Sequence, residues 1–369
     1  MKGRILKNIE WGILICCIVL FVVGCICLYS ATQESNYDEL KRQIMWFGIS
    51  IPIAIVIICI DYNIIAKVSP IIYGIFTVLL IAVLFTKPIN GASSWFTITE
   101  SIKLQPSEFA KIFVIITLSY LITIFQKKDK NEINKPLKLL AILGVVIVPV
   151  LLIIKQPDYG TAIAFMLATI LILFVAGIDK RYIIGVTIII AITLPLVYTF
   201  ILPEHAKTRI DVFLNPNLDP RGSGYNVLQS KIAIGSGGLF GMGLLKGNQT
   251  QLGFLHPKTT DFIFSVVGEE MGFIVAGGVI VLYVILITKA VFVAKTAKDD
   301  LGSYIAIGIA GIFLFHMIEN IGMTMGLLPI TGVPLPFVSY GGSSLLTNFI
   351  CIALLLNISG RRQKTIFVD

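Results

Sequence analysis

Long apolar runs recur along the chain and are separated by short polar segments. Each run is about 18 to 22 residues, the length that crosses the hydrocarbon core of a bilayer as an α-helix. The pattern therefore predicts an all-α polytopic membrane protein with ten transmembrane helices. The predicted spans are residues 11–30, 44–60, 68–85, 104–125, 137–154, 160–177, 183–202, 261–288, 304–325 and 343–359.

The composition supports the membrane class and excludes several others. The chain is 56% hydrophobic and only 14% charged, which leaves too little polar surface for a soluble protein of this length. Its net charge of +8 comes from short segments between spans, so we predict a topology signal and no nucleic-acid partner. The six cysteines lie inside the apolar runs without metal-ligand spacing, and no nucleotide-binding motif occurs.

The distribution of Lys and Arg predicts the orientation of the spans, because cytoplasmic loops are enriched in basic residues. Seventeen of the 29 basic residues lie on the side that holds both termini. We therefore expect cytoplasmic termini and a large extracellular loop, residues 203–260, between helices 7 and 8. The whole chain, 1–369, is predicted to be one integral membrane domain.

Polar residues gather at the predicted outer ends of the helices. Ionisable groups at membrane spans are costly, so each is a candidate for function. Glu108 and Lys111 are three residues apart on one helix face and can pair, either as a structural anchor or as part of a site. Asp158 precedes the sixth span, where capping the helix is an alternative to a catalytic role.

A third polar group extends from the large loop into the eighth span. Residues 227–234 are predicted to form a short interfacial helix ending at Gly235. Thr260 is expected to cap the eighth span, which would place Asp261 in its first turn and Glu269 two turns deeper on roughly the same face. Simple compensation of the helix dipole is the alternative for Asp261.

The ninth span contains His316, Glu319 and Asn320, and an apolar, proline-rich loop follows at 328–344. We expect this loop to fold back against other helices, because irregular backbone at membrane depth needs partners from protein or water.

The predicted topology directs the amino ends of the helices beginning near 104, 160, 261 and 343 to the outer face. Such ends attract anions, and Lys111, Arg209 and Arg221 lie in neighbouring segments. The sequence therefore predicts a site for a phosphate or pyrophosphate, with carboxylates at the same level.

Several motifs at these clusters resemble those of the SEDS family (shape, elongation, division and sporulation), and the resemblance covers nearly the whole chain. The similar stretches are 90–95, 105–111, 155–161, 224–238, 260–270 and 334–344. Residues 155–158 and 247–251 resemble the elongation branch, with the division and sporulation branches as close alternatives. At 256–260 the chain reads His-Pro-Lys-Thr-Thr, where relatives often read Leu-Pro-Glu-x-His-Thr; that acid and that histidine are missing, so neither is required here.

The resemblance implies a peptidoglycan glycosyltransferase in the bacterial cytoplasmic membrane that polymerises lipid II into glycan strands at the outer face. It also implies a class B penicillin-binding protein as partner, besides lipid II, the nascent strand and membrane lipids. The family's essential acid corresponds to Asp261, and its supporting residues to Trp95, Glu108 and Lys111.

The expected mechanism is a single inverting displacement, with Asp261 as base and Glu108, Lys111, Trp95 and Glu269 in support. The residues expected to bind substrate or pyrophosphate are Arg209, Arg221, Gln229, Lys231, Asp158, Ser339 and Ser343. A divalent cation, Mg²⁺ or Mn²⁺, is a candidate for neutralising the pyrophosphate, although the sequence has no dedicated metal cage. No organic cofactor is expected.

Two other functions fit a polytopic chain. A flippase or transporter of lipid-linked precursors would show internal repeats and midplane charges; no repeat is detected, but His316 and Glu319 are deep enough to keep this alternative open. A non-catalytic scaffold would tolerate neutral replacements of Asp261 and Glu108.

Overall fold

The computed structural model describes residues 8–88, 92–97, 99, 103–182, 184, 185, 188, 197–201, 203–220 and 222–362. Its helices are α1 (Trp11–Ala31), α2 (Asp38–Cys59), α3 (Tyr62–Val83), α4 (Pro106–Phe125), α5 (Pro136–Ile154), α6 (Tyr159–Ala176), α7 (Glu204–Leu214), α8 (Ser223–Ser236), α9 (Asn248–Gln251), α10 (Ile263–Val266), α11 (Gly272–Lys295), α12 (Asp300–Thr324) and α13 (Gly342–Gly360). Three 3₁₀ turns (Gln33–Ser35, Lys130–Asn134, Pro216–Leu218), two π-helical stretches (Val197–Ile201, Val267–Met271) and the strands β1 (Phe96–Thr97) and β2 (Lys103–Leu104) complete the elements.

Nine helical segments within the described residues are long and apolar enough to cross a membrane, with α10 and α11 counted as one span, Ile263–Lys295. They correspond to nine of the ten predicted spans. Most of the predicted seventh span, 183–202, lies outside the described residues. The prediction began the third span too late, at 68, because it did not use Asp61, whose carboxylate accepts from the Asn63 backbone N–H at 2.9 Å and caps α3.

The centre of the bundle is formed by α12 and α13, whose residues are almost all buried. The first of these packs against α6 and α11, and the second packs against α2. Small residues permit this packing: a Cβ atom added at Gly308 would lie 2.7 Å from the Ile115 side chain and 2.8 Å from that of Ile172.

The start of α1 and the end of α13 lie together. The Glu10 carboxylate is 2.8 Å from Lys289 Nζ and 3.6 Å from the Arg362 guanidinium. Since α1 begins and α13 ends at this place, the two ends of the described chain share one end of the bundle.

The segment 203–260 is more ordered than the predicted loop, because it contains α7, α8 and α9. The predicted helix at 227–234 is confirmed, and it begins earlier, at Ser223. A glycine-rich turn then pairs with the π-helical stretch: the backbone N–H groups of Met242 and Gly243 donate to the carbonyls of Glu269 and Glu270.

The loop between α12 and α13 folds against the helices, as predicted. Val333, Leu335, Phe337 and Val338 are buried. Side chains of several spans satisfy its carbonyls: Gln43 Nε2 donates to Ser339 O at 3.0 Å, and Tyr283 donates to Pro336 O. The loop is therefore a packed part of the protein core.

Candidate active site

A cleft of about 650 Å³ opens where the amino ends of α4, α6 and α13 meet the segment before α10. This convergence was predicted from the topology. The residues that line the cleft come from six parts of the chain: Ala31, Thr32, Glu34, Ser35, Glu39, Ala92, Ser94, Trp95, Lys103, Gln105, Glu108, Pro157, Asp158, Thr161, Arg209, His256, Pro257, Lys258, Thr259, Thr260, Asp261, Thr331, Gly332, Pro334, Tyr340, Gly341, Ser343 and Ser344.

Asp261 lies in the wall of this cleft, on a turn that precedes the helix. The expectation that Thr260 caps the helix is wrong: α10 begins at Ile263, and its N-cap position is Phe262, which makes no side-chain capping bond. Asp261 therefore lies outside the helix, two residues before its first residue. Its Oδ2 lies 3.5 Å from the place that a Cβ atom would take at Gly332, whose φ of +79° is in the region that favours glycine.

The environment of Asp261 raises the pKa of its carboxyl above the ordinary value. The main cause is burial, which disfavours the charged form. A hydrogen bond from Thr260 and the nearby charges of Arg209 and His256 act in the opposite direction and only partly offset it. Such a carboxylate is a stronger base than one in water.

Glu108 and Lys111 form the predicted ion pair in the first turns of α4. Lys111 Nζ lies 2.7 Å from Glu108 Oε2, and both side chains are at most 3% exposed. The Thr347 hydroxyl of α13 donates to the same oxygen at 3.0 Å. Glu108 reaches the wall of the cleft, whereas Lys111 lies behind it.

Asp158 caps α6, as one of the two alternatives predicted, since its Oδ1 accepts from the Thr161 backbone N–H at 3.1 Å. Its Oδ2 also accepts from Gln105 Nε2 at 3.0 Å, which ties the start of α6 to that of α4. Burial raises the pKa of the Asp158 carboxyl. Asp158 therefore lines the cleft and organises it at the same time.

Trp95 and Ser343 also line the cleft. The Ser343 hydroxyl accepts from the Gln105 backbone N–H at 3.2 Å and joins α13 to the same corner. Arg209, from α7, reaches the cleft and donates from Nη1 to Ile330 O at 3.4 Å.

Four other predicted residues have different places. Lys231 lines a separate small cavity that shares Arg209 with the cleft. Gln229 does not line the cleft, and Arg221 lies outside the described residues. Ser339 is buried behind the wall, where its hydroxyl donates to Thr260 O at 2.7 Å.

Glu269 does not face the cleft, contrary to the expectation that it shares a face with Asp261. Its carboxylate accepts from the backbone N–H of Gln249 at 2.7 Å, and from the backbone N–H and hydroxyl of Thr250 at 3.0 and 2.6 Å. The prediction assumed a regular α-helix from 261 to 269. The turn before Ile263 and the π-helical stretch at Val267–Met271 change the angular position of Glu269.

Several residues that build the cleft were not predicted from the sequence. Thr347 fixes Glu108, Gln43 holds the last loop, and Lys258 lines the cleft while donating to Thr250 O at 2.8 Å. Thr347 lies one helical turn after Ser343, which is the only sequence signal that pointed to it. Asn320 was noted within the ninth span without a role.

The described residues contain no group of three or more His, Cys, Asp or Glu side chains placed to hold a metal ion. The cleft wall nevertheless carries five carboxylates, Glu34, Glu39, Glu108, Asp158 and Asp261, against three cations, Lys103, Arg209 and Lys258.

Comparisons with known proteins give a consistent family. The profile of a family described as cell cycle protein, named after FtsW, RodA and SpoVE, matches residues 10–364. Peptidoglycan glycosyltransferase RodA of Treponema pallidum (strain Nichols) is 32% identical over 441 residues, which cover 98% of this chain and all of that protein. Peptidoglycan glycosyltransferase MrdB of Escherichia coli (strain K12) is 34% identical over 358 residues, 96% of this chain and 95% of that protein.

A solved structure has the same fold. It is described as "Structural coordination of polymerization and crosslinking by a peptidoglycan synthase complex". One of its chains superimposes with a TM-score of 0.81 at 27% identity, covering 95% of this chain and 97% of that one.

Proposed function

Because the chain belongs to the cell cycle protein family of FtsW, RodA and SpoVE, we propose that it is the peptidoglycan glycosyltransferase of cell elongation. It polymerises lipid II into glycan strands and releases undecaprenyl pyrophosphate. The observation that carries this assignment to particular residues is the cleft, where a half-buried carboxylate, Asp261, lies with the amino ends of three helices.

The reaction is a displacement at a sugar. The acceptor hydroxyl oxygen forms a bond to the anomeric carbon of the growing chain while the bond from that carbon to the pyrophosphate oxygen breaks. The product is β-linked and the donor is α-linked, so one displacement with inversion is enough. The enzyme needs one base for the hydroxyl proton and stabilisation of the leaving pyrophosphate.

Asp261 takes the role of the base in this proposal. Its position in the cleft wall allows contact with an acceptor hydroxyl, and its raised pKa brings it nearer to the operating pH, where a general base is most efficient. The proton of the hydroxyl passes to the carboxylate as the new bond forms.

Glu108, in the wall of the cleft, and Lys111, behind it, support this base. Two donors fix the Glu108 carboxylate, so it can accept from a substrate hydroxyl without having to be ordered first. Asp158 and Ser343 hold the amino ends of α4 and α6 in place, and Trp95 offers an apolar face to a sugar ring.

The amino ends of α4, α6 and α13, together with Arg209 and Lys103, supply positive potential for the pyrophosphate. Their charge is opposed by the five carboxylates of the wall, which favours help from Mg²⁺ or Mn²⁺. Mg²⁺ commonly binds one or two carboxylates together with substrate phosphates, so the lack of a three-ligand cluster in the described residues fits such an ion arriving with its substrate. Glu108, in the cleft wall beside the base, is the carboxylate that would hold such an ion, and the ion would neutralise charge on the leaving group.

The same proposal includes the topology. Ten spans, with 183–202 as the seventh, put both termini in the cytoplasm and the cleft at the outer face of the bacterial cytoplasmic membrane. The excess of Lys and Arg at the end of the bundle opposite the cleft supports this orientation. A class B penicillin-binding protein is the proposed partner, supported by a fold neighbour whose description couples polymerisation to crosslinking.

The test is glycan-strand synthesis from purified lipid II by the protein with its matched penicillin-binding protein. Asp261→Asn should lower the initial rate by about 100-fold or more, the usual contribution of a general base. Asp129→Asn is the matched control, because Asp129 caps a 3₁₀ turn far from the cleft. Normal polymerisation by Asp261→Asn, in an intact complex, would remove Asp261 from the mechanism.

A further inference from the structure

Three consecutive carbonyl groups, those of Thr259, Thr260 and Asp261, are held from outside their own segment. Thr259 O accepts from the Tyr340 backbone N–H at 2.9 Å, and Thr260 O accepts from the Ser339 hydroxyl at 2.7 Å. Asp261 O accepts from Asn320 Nδ2 at 2.9 Å. The donors belong to α12 and to the loop that follows it.

Asn320 uses its amide group to join two segments. The same Nδ2 that contacts Asp261 O also donates to Val333 O at 2.9 Å. Asn320 is completely buried, and the two hydrogens of its amide group are thereby both used. One side chain of α12 thus fixes the backbone of Asp261 relative to the last loop.

The last loop is itself held at the same level. His316 Nδ1 lies 3.0 Å from Pro334 O, one helical turn before Asn320. The Ser339 hydroxyl accepts from Leu335 N–H at 2.8 Å while donating to Thr260 O. The loop is therefore rigid enough to transmit the position of α12 to the turn at 259–261.

The turn at 259–261 needs this support because it lies outside α10 and has no helical hydrogen bonds of its own. Asp261 precedes the first residue of α10, so helical hydrogen bonds do not fix its φ and ψ angles. A base must stay within hydrogen-bond distance of its hydroxyl, and a displacement of about 1 Å costs on the order of 100-fold in rate.

We infer that Asn320 and Ser339 are positioning residues for Asp261 in the proposed glycosyl transfer. They do not touch substrate: neither lines the cleft. They set the place of the Asp261 carboxylate by holding the carbonyls of residues 260 and 261. This inference rests on the proposed function of the cleft.

The test compares kcat, KM for lipid II and the pH profile of Asn320→Leu and Ser339→Ala with those of the wild type. Asn320→Leu removes both donors at similar size, and we expect kcat to fall about 10- to 100-fold with KM changed less than about twofold. Ser339→Ala should show the same pattern to a smaller extent. In both variants the acid limb of the rate profile should move, because the surroundings of the Asp261 carboxyl change.

Asn357→Leu is the matched control. Asn357 is also buried and also donates from one amide nitrogen to two carbonyls, Ile57 O and Ile60 O, at the opposite end of α13. If the loss in kcat only reflects a weakened fold, Asn357→Leu should reproduce it, and the melting temperatures should account for both variants.

The outcomes separate the two proposals. No glycan strands from the wild-type complex would overturn the proposed function and this inference with it. An active wild type whose Ser339→Ala and Asn320→Leu variants keep kcat and the acid limb, or lose kcat only as Asn357→Leu does, would overturn the inference alone. Ser339→Ala decides the question if Asn320→Leu does not fold.

Discussion

The ionisation of Asp261 should set the acid limb of the rate profile. The group works as a base only when it is ionised, so kcat/KM falls as the pH drops through its pKa in the folded protein. An ordinary aspartate has a pKa of about 3.9. Burial raises the pKa of Asp261, so the acid limb should lie at a higher pH than that value. The measurement is kcat/KM for lipid II between about pH 4 and 8, at intervals of about half a pH unit.

Asp158→Asn is the control for this profile, because burial also raises the pKa of the Asp158 carboxyl. That variant should keep the position of the limb, whatever its effect on the rate. A rate that stays constant down to the pKa of an exposed aspartate would show that Asp261 is not the titrating base.

The Glu108–Lys111 pair allows its structural and chemical roles to be separated. Removing one partner leaves a buried charge and should cost about 3–5 kcal/mol of stability, so Glu108→Gln and Lys111→Met should each lower the melting temperature. The double variant removes both charges and should recover much of that stability. We expect it to remain at least about 10-fold less active, because Glu108 reaches the cleft. A double variant with full polymerase activity would assign the pair to structure alone.

Sequence reasoning succeeded where partners are close along the chain. The spacing of Glu108 and Lys111 predicts their pair, and the place of Asp158 before a span predicts its cap. It failed for Glu269, whose partners Gln249 and Thr250 lie across an irregular segment, and for Ser339, whose partner is Thr260. Contacts between loops depend on how distant helices pack, and the local spacing of residues does not reveal that packing.

At the scale of elements, the glycine-rich turn after α8 is fitted closely to the π-helical stretch before α11. A Cβ atom at Gly272 would lie 2.2 Å from the Gly241 nitrogen, and one at Gly241 would lie 2.2 Å from Glu270 O. Both glycines have positive φ, +76° and +82°. The turn and the π-helical stretch can therefore come this close only because residues 241 and 272 are glycines without a Cβ atom.

Gly272→Ala and Gly241→Ala should each destabilise this junction, by about 1–3 kcal/mol or more from backbone strain and overpacking. The measurement is thermal unfolding of the detergent-purified protein. Gly277→Ala, on α11, is the matched control, because a Cβ atom there meets nothing within 4 Å. Equal melting temperatures for all three variants would show that the junction can separate without cost.

At the scale of the whole molecule, the segments rich in Lys and Arg and the cleft are predicted to lie on opposite sides of the membrane. Lys103→Cys, at the cleft, should react with a membrane-impermeant maleimide added to intact spheroplasts. Lys128→Cys, at the other end of α4, should react only after the membrane is opened. The background is the variant in which Ser replaces the six native cysteines, all of which are free thiols.

The reverse labelling pattern would place the cleft in the cytoplasm and exclude polymerisation at the outer face. A pattern in which Lys103→Cys and Lys128→Cys react from the same side would contradict the span between them, α4.

The anchoring of Asp261 also has a consequence for how the protein is made. Its segment is completed by Asn320, Ser339 and Tyr340, and the Ser339 contact spans 79 residues. A ribosome synthesises the chain from its amino end, so Asp261 is made before any of these donors. A nascent chain therefore lacks the proposed anchoring of Asp261 until α12 and the loop after it have been synthesised.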